Sequence, residues 1–159
     1  MDASLLSNVP LFEELEGKDL DAIAKVAISR SYSKGSIIIL AEEEGDTLFI
    51  ISQGQVKVSI VSEDGREAIL ALLGEGAVFG ELSLLDGKPR SANVVATEAT
   101  NLYMVRRADF LQLVYKVPQI AVGLLAELAS RLRKTDRQIE GLALLDVTSR
   151  ISETLLQLA

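Results

Sequence analysis

The chain has no cysteine and no histidine among its 159 residues. Those two absences remove several chemistries together. No disulfide can staple the fold, no thiolate can act as nucleophile, and no Ser/His or Cys/His catalytic system can be assembled. Zinc, haem and iron–sulfur centres lose their usual ligands, which also disfavours a metal enzyme built on a cupin-like β-roll. No catalytic residue, catalytic cofactor or metal is therefore assigned, and the chain reads as a binding protein rather than an enzyme. Long apolar runs are lacking as well. Apolar residues form 48% of the chain, yet no run reaches the ~18–20 residues that a membrane span needs. The opening Met1-Asp2-Ala3-Ser4 is acidic and carries no secretory pattern, so a cytoplasmic setting is expected.

A basic excess is missing too. The net charge is −7, and residues 117–159 balance five basic residues (Arg131, Arg133, Lys134, Arg137, Arg150) against five acidic ones. The whole deficit thus falls in residues 1–116. Nucleic-acid-binding modules are normally basic, so this chain by itself is not expected to bind DNA. If its acidic part captures an anion, local directed groups must do it rather than a general field.

What the chain does contain is a succession of short β-segments. Residues 4–29 read as helical, with Pro10 opening a short turn and Leu20, Ile23, Ala24 and Ala27 marking an amphipathic helix. From Ile28 to Arg106 the texture changes to strands cut by glycine. The candidates are Ser31–Ser33, Ile37–Leu40, Leu48–Gln53, Val56–Val61, Ala68–Leu73, Ala92–Ala96 and Leu102–Val105, with Gly35, Gly45, Gly54, Gly65 and Gly74 as turns. Val56, Val58 and Ile60 alternate with Lys57 and Ser59, the pattern of a sheet with one wet face. Asp64-Gly65 signals a hairpin. Many short strands with evenly spaced turns predict a mainly β sandwich or jelly roll with flanking helices. Glu42-Glu43-Glu44 reads as a solvated loop.

The densest chemistry lies in Phe79-Gly80-Glu81-Leu82-Ser83 and, after one apolar turn, Lys88-Pro89-Arg90-Ser91-Ala92. Arg90 offers a planar fork of donors suited to a phosphate or carboxylate, and Ser91 adds a hydroxyl. The N–H groups of Gly80 to Ser83 open a short helical turn, an anion site that needs a residue without Cβ for close approach. Glu81 would repel a phosphate, so it makes sense as an acceptor for a neutral hydroxyl such as a ribose 2′-OH. A phosphate and a ribose hydroxyl on one small ligand suggest a nucleotide. Lys88, on the turn before Pro89, should face solvent.

These two clusters, in residue type and spacing, closely resemble the phosphate-binding cassette of cyclic-nucleotide-binding domains. Such domains occur in catabolite-activator-like (Crp/Fnr) transcription regulators and in the regulatory subunits of cyclic-nucleotide-dependent kinases. The resemblance implies a double-stranded β-helix, or jelly roll, over residues 1–116. It also implies a ligand site made of Gly80, Glu81, Leu82, Ser83, Arg90 and Ser91. The implied ligand is cyclic AMP acting allosterically, with cyclic GMP the alternative. Regulators of this superfamily that sense oxygen, carbon monoxide or redox state generally need Cys or His ligands, so this one must sense something else. Other readings are a regulator of the same fold with a different effector or none, or a stand-alone sensor. The fold should survive the loss of Arg90, since the ligand-free pocket needs no phosphate.

After a short helix from Arg107 to Lys116, Pro118 opens a long one reaching about Leu145. Ala121, Leu125, Leu128, Leu132, Thr135, Ile139 and Leu142 follow one another at alternating spacings of four and three. That heptad seam predicts a two-stranded coiled coil and hence a homodimer. A second apolar line, including Leu124, Ala143 and Leu144, is left to pack on the roll. Thr135 is the one polar residue of the seam, and a ligand lodged between roll and helix would give it a partner. The resemblance implies the same: a Thr at this place bonds the purine, and the next residue reaches the base across the dimer. Here that residue is Asp136, whereas similar proteins carry a small hydroxyl residue. Asp136 can accept from an adenine amino group but meets a guanine carbonyl unfavourably. Residues 117–145 are thus expected to be the dimerisation helix. Residues 146–159 resemble the hinge and first helix that lead into a winged helix-turn-helix. The chain is expected to be a fragment of a regulator whose DNA contacts lie in a C-terminal domain outside it.

Overall fold

The computed structural model describes the backbone of residues 6–158, and the side chains of residues 6–144 together with Ile151 and Leu155. The chain divides between Ala121 and Val122 into two units. The expected boundary at 116/117 falls five residues earlier, inside the run that joins the two last helices.

In the first unit a 3₁₀ turn at Pro10–Phe12 precedes helix α1 (Gly17–Val26). Strands β1 (Ile28–Tyr32), β2 (Ile37–Ile39), β3 (Thr47–Gln53), β4 (Val56–Val61), β5 (Glu67–Leu73) and β6 (Val78–Phe79) follow. A short helix, α2 (Glu81–Asp86), separates these from β7 (Asn93–Ala96) and β8 (Thr100–Arg106), and α3 (Arg107–Lys116) comes next. The strands form two antiparallel four-stranded sheets in the orders β1-β8-β3-β6 and β2-β7-β4-β5. This is the mainly β jelly roll with flanking helices that the turn spacing predicts.

Ile39, Phe49, Ile51, Val56, Phe79, Val94 and Leu102 fill the space between the sheets. Burying each such side chain contributes about 1.5–3 kcal/mol. Along β3 the alternate residues Leu48 and Ile50 are buried as well, because α3 packs on β3 and β8. A strand covered on both faces loses its alternation and reads as a continuous apolar run.

Along the roll the structure departs from the sequence reading in three places. Ile28 and Ser29 belong to β1, not to a helix, because they pair with Met104 and Tyr103 of β8 and the ladder overrides local propensity. Strand β6 has only two residues, too short for any period to show, yet it pairs Phe79 with Phe49 and stacks their rings 4.9 Å apart. The wet-face pattern of β4 fails at its end: Ser59 is buried and Ile60 is 43% exposed. Beyond Ser59 the strand leaves its pairing with β7 and continues only as a ribbon with β5, whose ladder shifts at that point. The Asp64-Gly65 hairpin forms as expected, with Gly65 at φ +84° and the Ser62 N–H donating to the Arg66 carbonyl at 2.8 Å.

The last helix, α4, runs unbroken from Gln119 to Leu158, past the hinge expected after Leu145. No Gly or Pro follows Gly141 to stop it. On the seam, Leu125, Leu132, Ile139 and Leu142 are exposed, while Ala121 and Leu128 are half-buried. Of the second apolar line, Leu124 is buried and Leu144 exposed. Among the described residues no single helix is long and apolar enough to cross a membrane.

Candidate functional site

Strand β6 delivers Phe79 into the core and the chain then turns sharply at Gly80, whose φ of +84° is left-handed. Only glycine takes that conformation cheaply, and it starts α2 directly from the strand end. The first turn of α2 has no side-chain cap, so its leading N–H groups stay outside the helical ladder. Glu81 sits in that turn, 4% exposed, where the helix dipole favours a carboxylate. Leu84 and Ser83 point inward, while Leu82 and Leu85 are exposed. Gly87, again left-handed, closes the helix by donating its N–H to the Ser83 carbonyl at 3.0 Å. The Asp86 carboxylate accepts from the Lys88 N–H at 2.9 Å, and the Lys88 side chain faces solvent as expected.

Arg90 then re-enters the protein. Its backbone N–H donates to the Glu43 carbonyl and its carbonyl accepts from the Glu42 N–H, both at 2.8 Å. The acidic loop is thereby fastened to the cassette. The Arg90 side chain is only 7% exposed. Its Nη1 donates to the Gly80 carbonyl at 2.8 Å and its Nη2 to the Thr47 carbonyl at 2.9 Å. Its Cζ lies 5.8 Å from the centre of the Phe49 ring, within cation–π range. Burial pushes the guanidinium below its ordinary pKa, while the charges of Asp46 and Glu81 act in the opposite direction. An arginine stays cationic through such a shift.

Asp46 and Thr47 are the junction of this arrangement. The Thr47 carbonyl receives Arg90, and the Asp46 carbonyl accepts from the Arg107 N–H at 2.8 Å. Arg107 Nε donates to the Leu84 carbonyl at 2.8 Å. The start of α3 is therefore bonded both to the loop before β3 and to α2.

The structure brings Gly80, Glu81 and Arg90 together, as the sequence reading requires. Ser83 is buried on α2, Leu82 is half-exposed on the same helix, and Ser91, next in sequence to the buried arginine, is exposed. Thr135 and Asp136 stand on α4 in the second unit, both exposed, with the Thr135 hydroxyl donating to the Arg131 carbonyl at 3.0 Å. Arg90 is also tied to the fold itself, because it donates to two backbone carbonyls. The sequence reading also missed Gly45 and Thr47. Their signal is a Gly-Asp-Thr step directly before the apolar run of β3, which by itself reads as an ordinary turn.

The chain matches the cyclic nucleotide-binding domain family over residues 29–116. It is 37% identical to the cyclic AMP receptor protein of Thermus thermophilus over 149 residues, covering 94% of this chain and 69% of that protein. It is 42% identical to the cAMP-activated global transcriptional regulator CRP of Pasteurella multocida over 129 residues, covering 80% of this chain and 62% of that one. The crystal structure of the Thermus thermophilus catabolite activator protein superposes with a TM-score of 0.78 at 38% identity, covering 84% of this chain and 63% of the other. This chain therefore spans about two thirds of the length of those proteins.

Proposed function

We propose that this chain, which belongs to the cyclic nucleotide-binding domain family of cyclic AMP receptor-like transcriptional regulators, is an effector domain that binds cyclic AMP. The observation that carries the proposal is Arg90: a cation buried beside Glu81, with only two of its five N–H groups used in the described hydrogen bonds. The remaining donors can take the singly charged cyclic phosphate, joined by the leading N–H groups of α2. Glu81 then accepts from the ribose hydroxyl. The names of the relatives, a cyclic AMP receptor and a cAMP-activated regulator, support the choice of ligand.

The base is assigned to α4. Thr135 bonds the purine, and Asp136, supplied by the partner helix, accepts from the adenine amino group, which favours adenine over guanine. The homodimer forms along the seam of Leu125, Leu128, Leu132, Ile139 and Leu142, with Ala121 at its start. Four of those side chains are large and exposed in the single chain, which supports a partner covering them. A ligand that touches both roll and seam favours one arrangement of the helices over others. Residues 146–159 would pass that arrangement to a DNA-binding domain beyond this chain, in a cytoplasmic regulator that is not an enzyme.

Calorimetric titration with cyclic AMP, cyclic GMP and linear AMP tests the reading. Binding of cyclic AMP ahead of cyclic GMP, with linear AMP far weaker, is expected. Absence of binding by either cyclic nucleotide would refute it.

A further inference from the structure

The Arg90 guanidinium lies in a slot made of missing side chains. A Cβ placed on Gly45 would come within 2.2 Å of Arg90 Nε and 2.6 Å of both Cζ and Nη2. A Cβ on Gly80 would meet the Thr47 carbonyl oxygen at 2.8 Å, Arg90 Nη1 at 2.9 Å and Phe49 Cδ2 at 3.2 Å. The two glycines differ in what else they do. Gly80 is left-handed and its Cβ would strike backbone, so the turn itself demands glycine there. Gly45 lies outside the left-handed region, so its backbone is open to any residue. The three atoms nearest its Cβ position all belong to the end of the Arg90 side chain.

From this geometry we infer that Gly45 is a positioning residue for ligand binding. Its missing side chain keeps room for the guanidinium to lie flat between the Thr47 and Gly80 carbonyls, with its other N–H groups turned to the ligand. A methyl group at residue 45 would tip the guanidinium out of the slot. A flexible side-chain end can yield without the backbone moving, so affinity is lost while the roll stays folded. The inference rests on the cyclic-nucleotide reading for its ligand but not for its geometry.

The experiment compares wild type, Gly45→Ala, Arg90→Lys and the double variant. In the ligand-free protein the Arg90 Nη–H resonances, identified by their loss in Arg90→Lys, should exchange slowly with water in wild type, because Nη1 and Nη2 are bonded to the Gly80 and Thr47 carbonyls. In Gly45→Ala they should shift and exchange fast. Cyclic AMP affinity should fall roughly ten- to a hundredfold in Gly45→Ala, the loss of one charge-assisted hydrogen bond, with the melting temperature down by only a few degrees. Adding Gly45→Ala to Arg90→Lys should cost little further affinity, because no guanidinium is left to displace. Unmoved Nη–H signals, or losses that add in the double variant, would overturn the inference. If Gly45→Ala fails to fold, the double variant decides: folding restored by Arg90→Lys supports the slot, and folding still lost refutes it. Failure of wild type to bind cyclic AMP would remove the functional reading, and the resonances would still decide the slot.

Discussion

Replacing Arg90 by Leu should cost binding and stability by separable amounts. The stability part follows from the two carbonyls that the guanidinium satisfies, those of Gly80 and Thr47. A buried acceptor left without a donor costs about 1–3 kcal/mol. Both groups are half-buried, so water recovers part of the loss, and removing a buried cation returns its desolvation cost. A net loss of about 1–3 kcal/mol remains, which in a domain of this size lowers the melting temperature by roughly 4–12 °C. The binding part is larger. A cyclic phosphate taken into the site without its cation is left unpaired, at about 3–5 kcal/mol, or roughly two to four orders of magnitude in affinity. Arg90→Lys keeps the charge but cannot reach both carbonyls and the phosphate from one nitrogen, so it should fall between wild type and Leu in both measurements. Lys88→Leu, at an exposed position, should leave both unchanged. Thermal melts and cyclic AMP titrations on the same preparations separate the two effects. An Arg90→Leu protein that melts like wild type would show that the backbone clasp contributes nothing. Normal affinity in a folded Arg90→Leu protein would remove the cassette as the ligand site.

Leu132→Glu places a charge on an exposed seam position, so the single chain should fold normally while the dimer dissociates; sedimentation of a dimeric variant at micromolar concentration would exclude that seam. Thr135→Val should weaken cyclic AMP roughly tenfold, the value of one hydrogen bond of about 1–1.5 kcal/mol, and Asp136→Asn should narrow the preference over cyclic GMP. If calorimetry finds the ratio of the two nucleotides unmoved by either change, the base is read elsewhere. Gly80→Ala combines a left-handed φ with a Cβ 2.8 Å from the Thr47 carbonyl oxygen, and should lower the melting temperature more than Gly45→Ala does; the reverse order would contradict the separation drawn between the two glycines.

The strand-rich roll was legible because glycine punctuation and β-branched runs mark short strands, and six of the eight strands lie close to their sequence positions. What stayed hidden has physical causes. The pair Val78-Phe79 is too short to carry a period, and its strand character comes wholly from its neighbour β3. The alternation in β4 was real but local, and it fails where β7 stops pairing with it. Gly80, Glu81 and Arg90, which the structure brings together, stand out in the sequence because a phosphate and a hydroxyl would call for those residue types. The role of Thr47 is carried by its backbone carbonyl, which any residue supplies, so its identity held no signal. Gly45 acts through the absence of a side chain, and in a sequence that reads like any turn glycine.

The twofold employment of Arg90 bears on how such domains diverge. On the proposed function, a descendant that abandoned the nucleotide would still need this arginine to hold Thr47 and Gly80, so selection for folding alone would preserve it. Ser91 is exposed, and the Thr135 hydroxyl is bonded within its own helix, to the Arg131 carbonyl. Those positions would be the first to drift. If Ser91, Thr135 and Asp136 read the nucleotide as proposed, they would be the more sensitive record, among relatives that keep the arginine, of whether it is still bound.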